Sequence, residues 1–347
     1  MMSVHSCIRS YRSAIMGFAT IMVLLFHQYT VNSSLILSVF SHIGHWGVDI
    51  FLFVSGFGIA HSLSNNLTIV FYQNRIKKMF PICLIVGVFG LILSIMHGTI
   101  DWINLVPKLL CFDNWYIYTI TIYYIFSPVI LKIMQKNSWV LPLLVFVLAF
   151  IFAYSSLFKP LSTSSHFLIN KLPWAWDRFF VYLLGIYFYL QQTRYSTIIF
   201  WGGGVLFVIM LMAQYGYIHI PCCFSQILAF CMPFVCLSIG ALTKLVPSIE
   251  KTMCFIGKHS LSIFLMHLIV YSFGENHSSL LPIDGLRLLV EVILTITIAV
   301  SLDLFIDKVL NFYIKKSWTM SLQHLFKIDN ETNKPTDFQH QCRLSVG

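Results

Sequence analysis

From residue 13 onward the chain alternates between long apolar runs and short polar breaks. A helix that crosses hydrocarbon needs about 20 predominantly apolar residues. Ten stretches meet or approach that length: 13–31, 43–63, 80–98, 115–134, 138–158, 176–190, 196–214, 224–246, 253–273 and 286–310. The sixth is short, and the eighth contains Pro233, which a membrane helix tolerates where its neighbours satisfy the freed backbone groups. The pattern predicts an all-α fold, a polytopic membrane bundle of about ten transmembrane helices. One membrane domain is expected over 1–313. The tail, 314–347, includes the polar run "IDNETNKPTDFQHQ" and is expected to be loosely ordered.

Composition removes the soluble alternatives. The chain is 58% hydrophobic and 10% charged, with a mean hydropathy of +0.80, whereas a soluble domain must cover itself with polar side chains. Charge then sets orientation, because cytoplasmic loops are rich in Lys and Arg. With the N-terminus inside, Arg9, Arg12, Arg75, Lys77, Lys78, Lys132, Lys136, Arg194, Lys244, Lys251 and Lys258 fall in inner segments, as does the tail from Lys308. The outer segments hold Lys108, Lys159, Lys171, Arg178 and Arg287. Both termini are therefore expected to be cytoplasmic. The net charge of +9 is read as topology and contact with anionic membrane lipid, not as a nucleic-acid surface. Arg9 and Arg12 precede the first apolar run as in a signal sequence. The following "FHQYT" lacks a small-residue cleavage pattern, so that span is read as uncleaved.

Metal and disulfide chemistry are not expected. The nine cysteines are scattered without a C-x-x-C pair. His42 and His45 in "SHIGH" have a ligand-like spacing but no acidic neighbour in sequence.

The ionisable residues inside the apolar runs are more informative. Counted at 1.5 Å per residue, His27, Asp49, His267 and Glu291 all fall about 6–9 Å inside the outer ends of their spans. Ionisable groups at such depth are costly and face a polar cavity or a partner. A shared level predicts one water-accessible pocket with acid and base groups on its walls. On the opposite side, "FYQNRIKKMFP" (71–81) places Arg75, Lys77 and Lys78 in an inner loop behind Phe71 and Tyr72. Beyond the topology signal, this cluster suits a phosphorylated ligand arriving from the cytoplasm.

Six blocks in order carry a resemblance: "MGFATIMVLLFH" (16–27), "GHWGVDIFLFVSGFGIA" (44–60), "FYQNRIKKMFP" (71–81), "NWYIYTITIYYIFSPVI" (114–130), "DRFFVYLLGIY" (177–187) and "GKHSLSIFLMHLIV" (257–270). Together they resemble the acyltransferase 3 family, bacterial inner-membrane O-acyltransferases that modify cell-surface glycans. The second block is the most specific.

The resemblance implies acyl-CoA, acetyl-CoA in the commonest case, as a cytoplasmic donor substrate with no permanently bound cofactor. It also implies a glycan acceptor on the far side. It makes His27 the catalytic histidine and Arg75 the first arginine of an R-x-x-R motif. Two departures stand out. Lys78 replaces the second arginine, and Met16 occupies a position that is arginine in many relatives, with Arg12 one turn earlier as the substitute.

His27, neutral near pH 7, suits proton removal from an attacking hydroxyl. Glu291 or Asp49 is expected to orient it. Glu291 is preferred because Asp49 lies in "GVDIF", where a helix-packing role fits equally well. Asp49, Ser55, Trp115, Arg178 and His267, all within the matching blocks, are expected as pocket or structural positions, and Arg75, Lys77, Lys78 and Arg12 as donor-binding ones. Trp102, Trp115, Trp174 and Trp176, at or near the ends of the longest outer loops (99–114 and 159–175), offer rings for sugar faces. A transporter or flippase for a lipid-linked sugar or small anion, with the buried polars as a proton relay, is the rival class. The lack of internal repeats and of paired Gly/Pro-broken helices weighs against it.

Overall fold

A computed structural model describes residues 3–27, 42–96, 98, 102–155, 169–192, 196–218, 224–276 and 286–309. Their regular structure is entirely helical. In chain order the helices are α1 (Val4–Phe26), α2 (Trp46–Asn65), α3 (Thr68–Met96), α4 (Leu105–Leu109), α5 (Trp115–Lys136) and α6 (Val140–Ser155). There follow α7 (Leu172–Gln191), α8 (Ser196–Gln214), α9 (Phe224–Ala229), α10 (Met232–Leu245), α11 (Pro247–Lys258), α12 (Ser260–Asn276) and α13 (Leu286–Val309).

The boundaries have local causes. The Ser3 hydroxyl caps α1 by accepting from Ser6 N at 3.2 Å, and Asn114 Oδ1 caps α5 by accepting from Tyr116 N at 2.9 Å. Pro173, Pro233 and Pro247 stand in the first turns of α7, α10 and α11, where a missing N–H costs nothing. Gln192, in the left-handed region at φ 45°, ends α7.

Among the described residues six helices are long and apolar enough to cross a membrane: α1, α2, α3, α5, most of α8 (Thr197–Gln214) and α13. A seventh is reached by counting α11 and α12 as one span, although they meet at 73° around His259. The expected continuous ninth span is thus broken. The eighth is broken too, between α9 and α10, where Pro233 starts a new helix. The helix of the first span is described as far as Phe26, and the expected end near 31 lies outside the described residues. The third begins at Thr68, twelve residues before its expected start, and Pro81 lies inside it. Arg75, Lys77 and Lys78 are therefore helical rather than in a loop, because Arg, Lys, Gln and Met are good helix formers and carry α3 through the polar segment. At 29 residues α3 is about 43 Å long, longer than a hydrocarbon core of about 30 Å.

The chain divides into two units, Met1–Val300 and Ser301–Gly347. All residues discussed below belong to the first. Of the second, residues 301–309 are described and helical, and the expected polar tail lies outside the described residues.

At the centre of the first unit α2 packs against α1 and α7, burying Ile15, Leu24, Trp46, Phe53, Phe180 and Tyr182 completely or nearly so. The approach of α2 and α7 is set by two glycines that face each other's backbone. A Cβ on Gly56 would collide with Tyr182 O, and one on Gly185 with Phe53 O. Packing this close is a membrane solution, since lipid supplies no hydrophobic force between helices and contact must do so. At the periphery, Phe89 and Ile92 of α3, Leu143 of α6, Trp201 and Val205 of α8, and Leu289 and Ile293 of α13 are exposed. In water these rows would be an aggregation hazard, and in a bilayer they are the lipid face.

Candidate active site

The C-cap residue of α1 meets the middle of α12. His27 Nδ1 lies 2.9 Å from Val23 O and 3.3 Å from Nε2 of His267. The two rings are 4.7 Å apart at 59°. His267 is completely buried, and its Nδ1 donates to Phe264 O at 2.5 Å. Tyr271, one turn further along α12, donates its hydroxyl to Leu24 O at 3.3 Å and ties the same two helices together. The polar partner of His27 is thus the other histidine.

A narrow slot of about 60 Å³ includes Phe264, the residue whose carbonyl holds His267, in its lining. Arg12 and Met16 of α1, Ser55 of α2, Arg75, Lys78 and Met79 of α3, Tyr116 and Tyr124 of α5, and Ser260 and Phe264 of α12 are among its walls. Arg12, Arg75 and Lys78 bring three cations to it. Arg75 is fixed by its own helix and by α5, with its guanidinium 5.3 Å from the ring centres of both Phe71 and Tyr124. Arg12 lies over Gly58 of α2, where a Cβ would come within 3.1 Å of Nη2. Arg12 and Met16 both reach the slot, so a cation is present on this wall despite the methionine. Lys77 is exposed and does not line the slot, because one residue along a helix turns a side chain by about 100°.

A second buried polar set joins α2 to α7. Arg178 Nε lies 3.5 Å from Asp49 Oδ1, both residues being buried, and Arg178 Nη1 lies 3.4 Å from Asp177 Oδ2. The guanidinium sits 4.7 Å from the Trp115 ring and 5.7 Å from the Trp174 ring. Asp177 also accepts from Ser225 Oγ at 2.5 Å and Gln226 Nε2 at 3.1 Å. Asp49, Trp115 and Arg178, read separately in the sequence, form one cluster, and the signal for it was available. In a chain so poor in charge, a buried Asp and a buried Arg each require the other.

Glu291, expected beside His27, stands elsewhere. Its carboxylate lies 3.9 Å from Arg287 Nε and presses against Gly274, where a Cβ would overlap Oε1. Gly274 is seven residues beyond His267 on α12, about 10 Å along the axis. Among the described residues no hydrogen bond joins Glu291 to His27. Asp49 departs in the other direction. Its neighbour Gly47 packs on Ala19, Met22 and Val23 of α1, which puts Asp49 roughly 10 Å from the level of His27. The single expected layer is therefore three groups at different heights, because helix breaks and staggered ends shift the levels that counting from span ends assumes to be common.

His42 stacks on Tyr215 at 5.1 Å, while His45 meets Phe26 and Trp46, so the two turn to different partners. No group of three or more His, Cys, Asp or Glu that could hold a metal ion is present among the described residues. At the end of the bundle away from the cations, Ser94, Lys108, Asp113 and Asn114 rim a cavity of about 290 Å³ against Leu265, Leu268 and Ile269 of α12. Lys171 Nζ donates to Asp113 O at 2.6 Å, and burial holds the Asp113 carboxyl above its usual range.

The described residues thus hold, in a helical membrane protein, a slot lined by three cations and a histidine pair tied to one of its wall residues, Phe264. Comparison with known families supplies the class: the model of an acyltransferase domain, acyltransferase 3, matches residues 14–305. The chain belongs to that acyltransferase family. No curated protein and no solved structure matches it.

Proposed function

We propose that this acyltransferase takes an acyl group, acetyl in our reading, from cytoplasmic acyl-CoA and transfers it to a sugar hydroxyl of a surface polysaccharide or lipid-linked glycan. In this reading it is a multi-pass protein of the bacterial inner membrane. Ten crossings are completed when α6, α7, α9 with α10, and α11 with α12 join the six long helices, leaving both termini in the cytoplasm. The observation that supports the reading is the slot, lined by Arg12, Arg75 and Lys78 and by Phe264, whose carbonyl holds the His267 that meets His27.

The chemistry follows from the donor set. Guanidinium and ammonium groups at the mouth match the phosphates of CoA. The slot is narrow, so an entering pantetheine arm must displace the flexible side chains of Arg12, Met16, Lys78 and Met79. At the far end the acceptor oxygen attacks the thioester carbon while His27 takes the hydroxyl proton. The C–S bond then breaks, and the imidazolium returns that proton to the leaving thiolate, giving ester and free thiol. His27 is the catalytic residue in this scheme and remains neutral between turnovers.

The test is acyl transfer by the purified protein in lipid nanodiscs, with acetyl-CoA labelled in the acetyl group and a glycan extract as acceptor. Label should move to the glycan in the wild type and not in His27→Ala. A protein that carries the glycan across the membrane yet leaves all label on CoA is a transporter. Mass spectrometry of surface polysaccharide from a deletion strain would identify the acceptor.

A further inference from the structure

We infer that His267 is a positioning residue that holds His27 in the one neutral tautomer able to act as a base through Nε2. The inference rests on the reading of His27 as the proton acceptor and extends it to a residue whose sequence block gave it no such role.

A carbonyl oxygen only accepts, so His267 Nδ1, at 2.5 Å from Phe264 O, carries a hydrogen. A neutral His267 then has a bare Nε2, and this atom faces His27 Nδ1 at 3.3 Å. His27 Nδ1 also faces Val23 O at 2.9 Å. It is surrounded by two acceptors and must carry its own hydrogen, shared between them. The remaining ring nitrogen of His27, Nε2, is left with its lone pair.

The opposite arrangement makes His267 a cation that donates from Nε2 to a bare His27 Nδ1. That places a charge on a completely buried ring and turns the His27 lone pair toward a carbonyl oxygen, and both are costly. The relay therefore runs from His27 Nδ1–H to His267 Nε2, and from His267 Nδ1–H to the main chain of α12.

This arrangement does the work expected of a carboxylate without introducing one. The family of serine hydrolases uses an acid to fix the tautomer of its histidine and steady the imidazolium. Here a second imidazole and a backbone carbonyl fix it. When His27 Nε2 takes the proton, Nδ1–H becomes a stronger donor to two acceptors already in place. Tyr271 bonded to Leu24 O holds the end of α1 against α12 and keeps this register.

Two measurements test the proposal. In the first, kcat and the KM for acetyl-CoA are compared for His267→Leu, which fills the space without an acceptor, and His267→Gln, whose Oε1 can accept from His27 Nδ1–H. The leucine variant should lose about tenfold to a hundredfold in kcat with KM unchanged, the usual cost of removing an orienting partner from a histidine. The glutamine variant should recover most of the loss. Equal impairment of both variants, a loss confined to KM, or near-normal turnover in the leucine variant overturns the assignment.

The second measurement needs neither turnover nor a variant of His267. In 15N-histidine spectra of the full-length protein in nanodiscs, the signals lost on His27→Ala identify that ring, and protonated and bare nitrogens resonate apart. Nδ1 should be the protonated one, and protonation at Nε2 instead refutes the relay. An Nδ1–H tautomer in a protein that transfers no acyl group would uphold the relay and count against the enzymatic reading alone.

Discussion

Three basic side chains stand within four residues on α3 and Arg12 adds a fourth, yet the structure does not make them equivalent, and donor binding should report the difference. Arg75 is half-buried, lines the slot and is held between Phe71 and Tyr124, so little side-chain freedom remains to be lost on binding a phosphate. A charge-assisted hydrogen bond from a prepositioned group is worth about 1.5–3 kcal/mol. Arg75→Ala should therefore raise the KM or Kd for acetyl-CoA by roughly 30-fold, taking about 2 kcal/mol for the contact. Lys78 lines the slot but is exposed, so its contact is screened and costs entropy to form; Lys78→Ala should cost about 1 kcal/mol, roughly fivefold. Lys77 points away from the slot, and Lys77→Ala should change donor binding less than twofold. Lys78→Arg restores a planar fork and should match or improve on the wild type. The assay is binding of labelled acetyl-CoA to protein in nanodiscs at fixed ionic strength, with KM as a second readout. Equal losses for Lys77→Ala and Arg75→Ala would rule out a specific phosphate site at Arg75, because a diffuse positive field would then account for donor binding without the slot.

Other substitutions separate the remaining groups. His27→Ala and His27→Gln should both lower kcat by about 10²–10⁴ while donor binding persists, and Glu291→Gln should cost far less; a glutamate variant as inactive as His27→Ala would return the partner role to Glu291. Asp49→Asn leaves the buried Arg178 with Asp177 and two indoles, and melting in detergent should show a loss of about 3 kcal/mol, the low end for breaking a buried pair. Asp49→Leu combined with Arg178→Met should lose less than the sum of the single changes, and strict additivity would dissolve the pair. Gly185→Ala should destabilise by about 2 kcal/mol or more, since Phe53 O cannot retreat without separating α2 from α7, and an unchanged melting point would contradict that contact.

Much of the architecture was legible in the sequence, for reasons that also explain where the reading stopped. The apolar runs located the long helices, because hydrocarbon leaves few alternatives to helix. They did not reveal the bend at His259, because Gly257, two residues before it, is itself helical and lies inside an otherwise continuous pattern. Nor did they extend α3 back to Thr68, since a cluster of cations before Pro81 looks like a loop and folds as a helix. The slot was half legible. Arg75 and Lys78 declared themselves by charge, whereas Tyr116, Tyr124 and Phe264 are indistinguishable in sequence from the chain's many other aromatics. Counting depth from span ends put His27 and His267 at one level and they do meet. The same count put Glu291 there, whereas its carboxylate lies against Gly274, seven residues beyond His267 on α12. Pairing is a property of neighbouring helices, and one sequence carries no record of which helices are neighbours.

The bend between α11 and α12 has an electrostatic consequence. A continuous span would have buried the backbone amides of its middle turns in hydrogen bonds to the preceding turn. The break starts a new helix at Ser260, and Ser260 and Leu261 form part of the slot wall. The first turn of a helix carries amide hydrogens without partners in its own ladder, and with them the positive end of the helix dipole, equivalent to roughly half an elementary charge. In the proposed reading, the slot's attraction for the donor's phosphates would therefore be partly written into the main chain, where substitution of side chains does not reach it. A variant stripped of Arg12, Arg75 and Lys78 should still prefer a phosphorylated molecule to a neutral one of the same size, and that residual preference should weaken when salt is added.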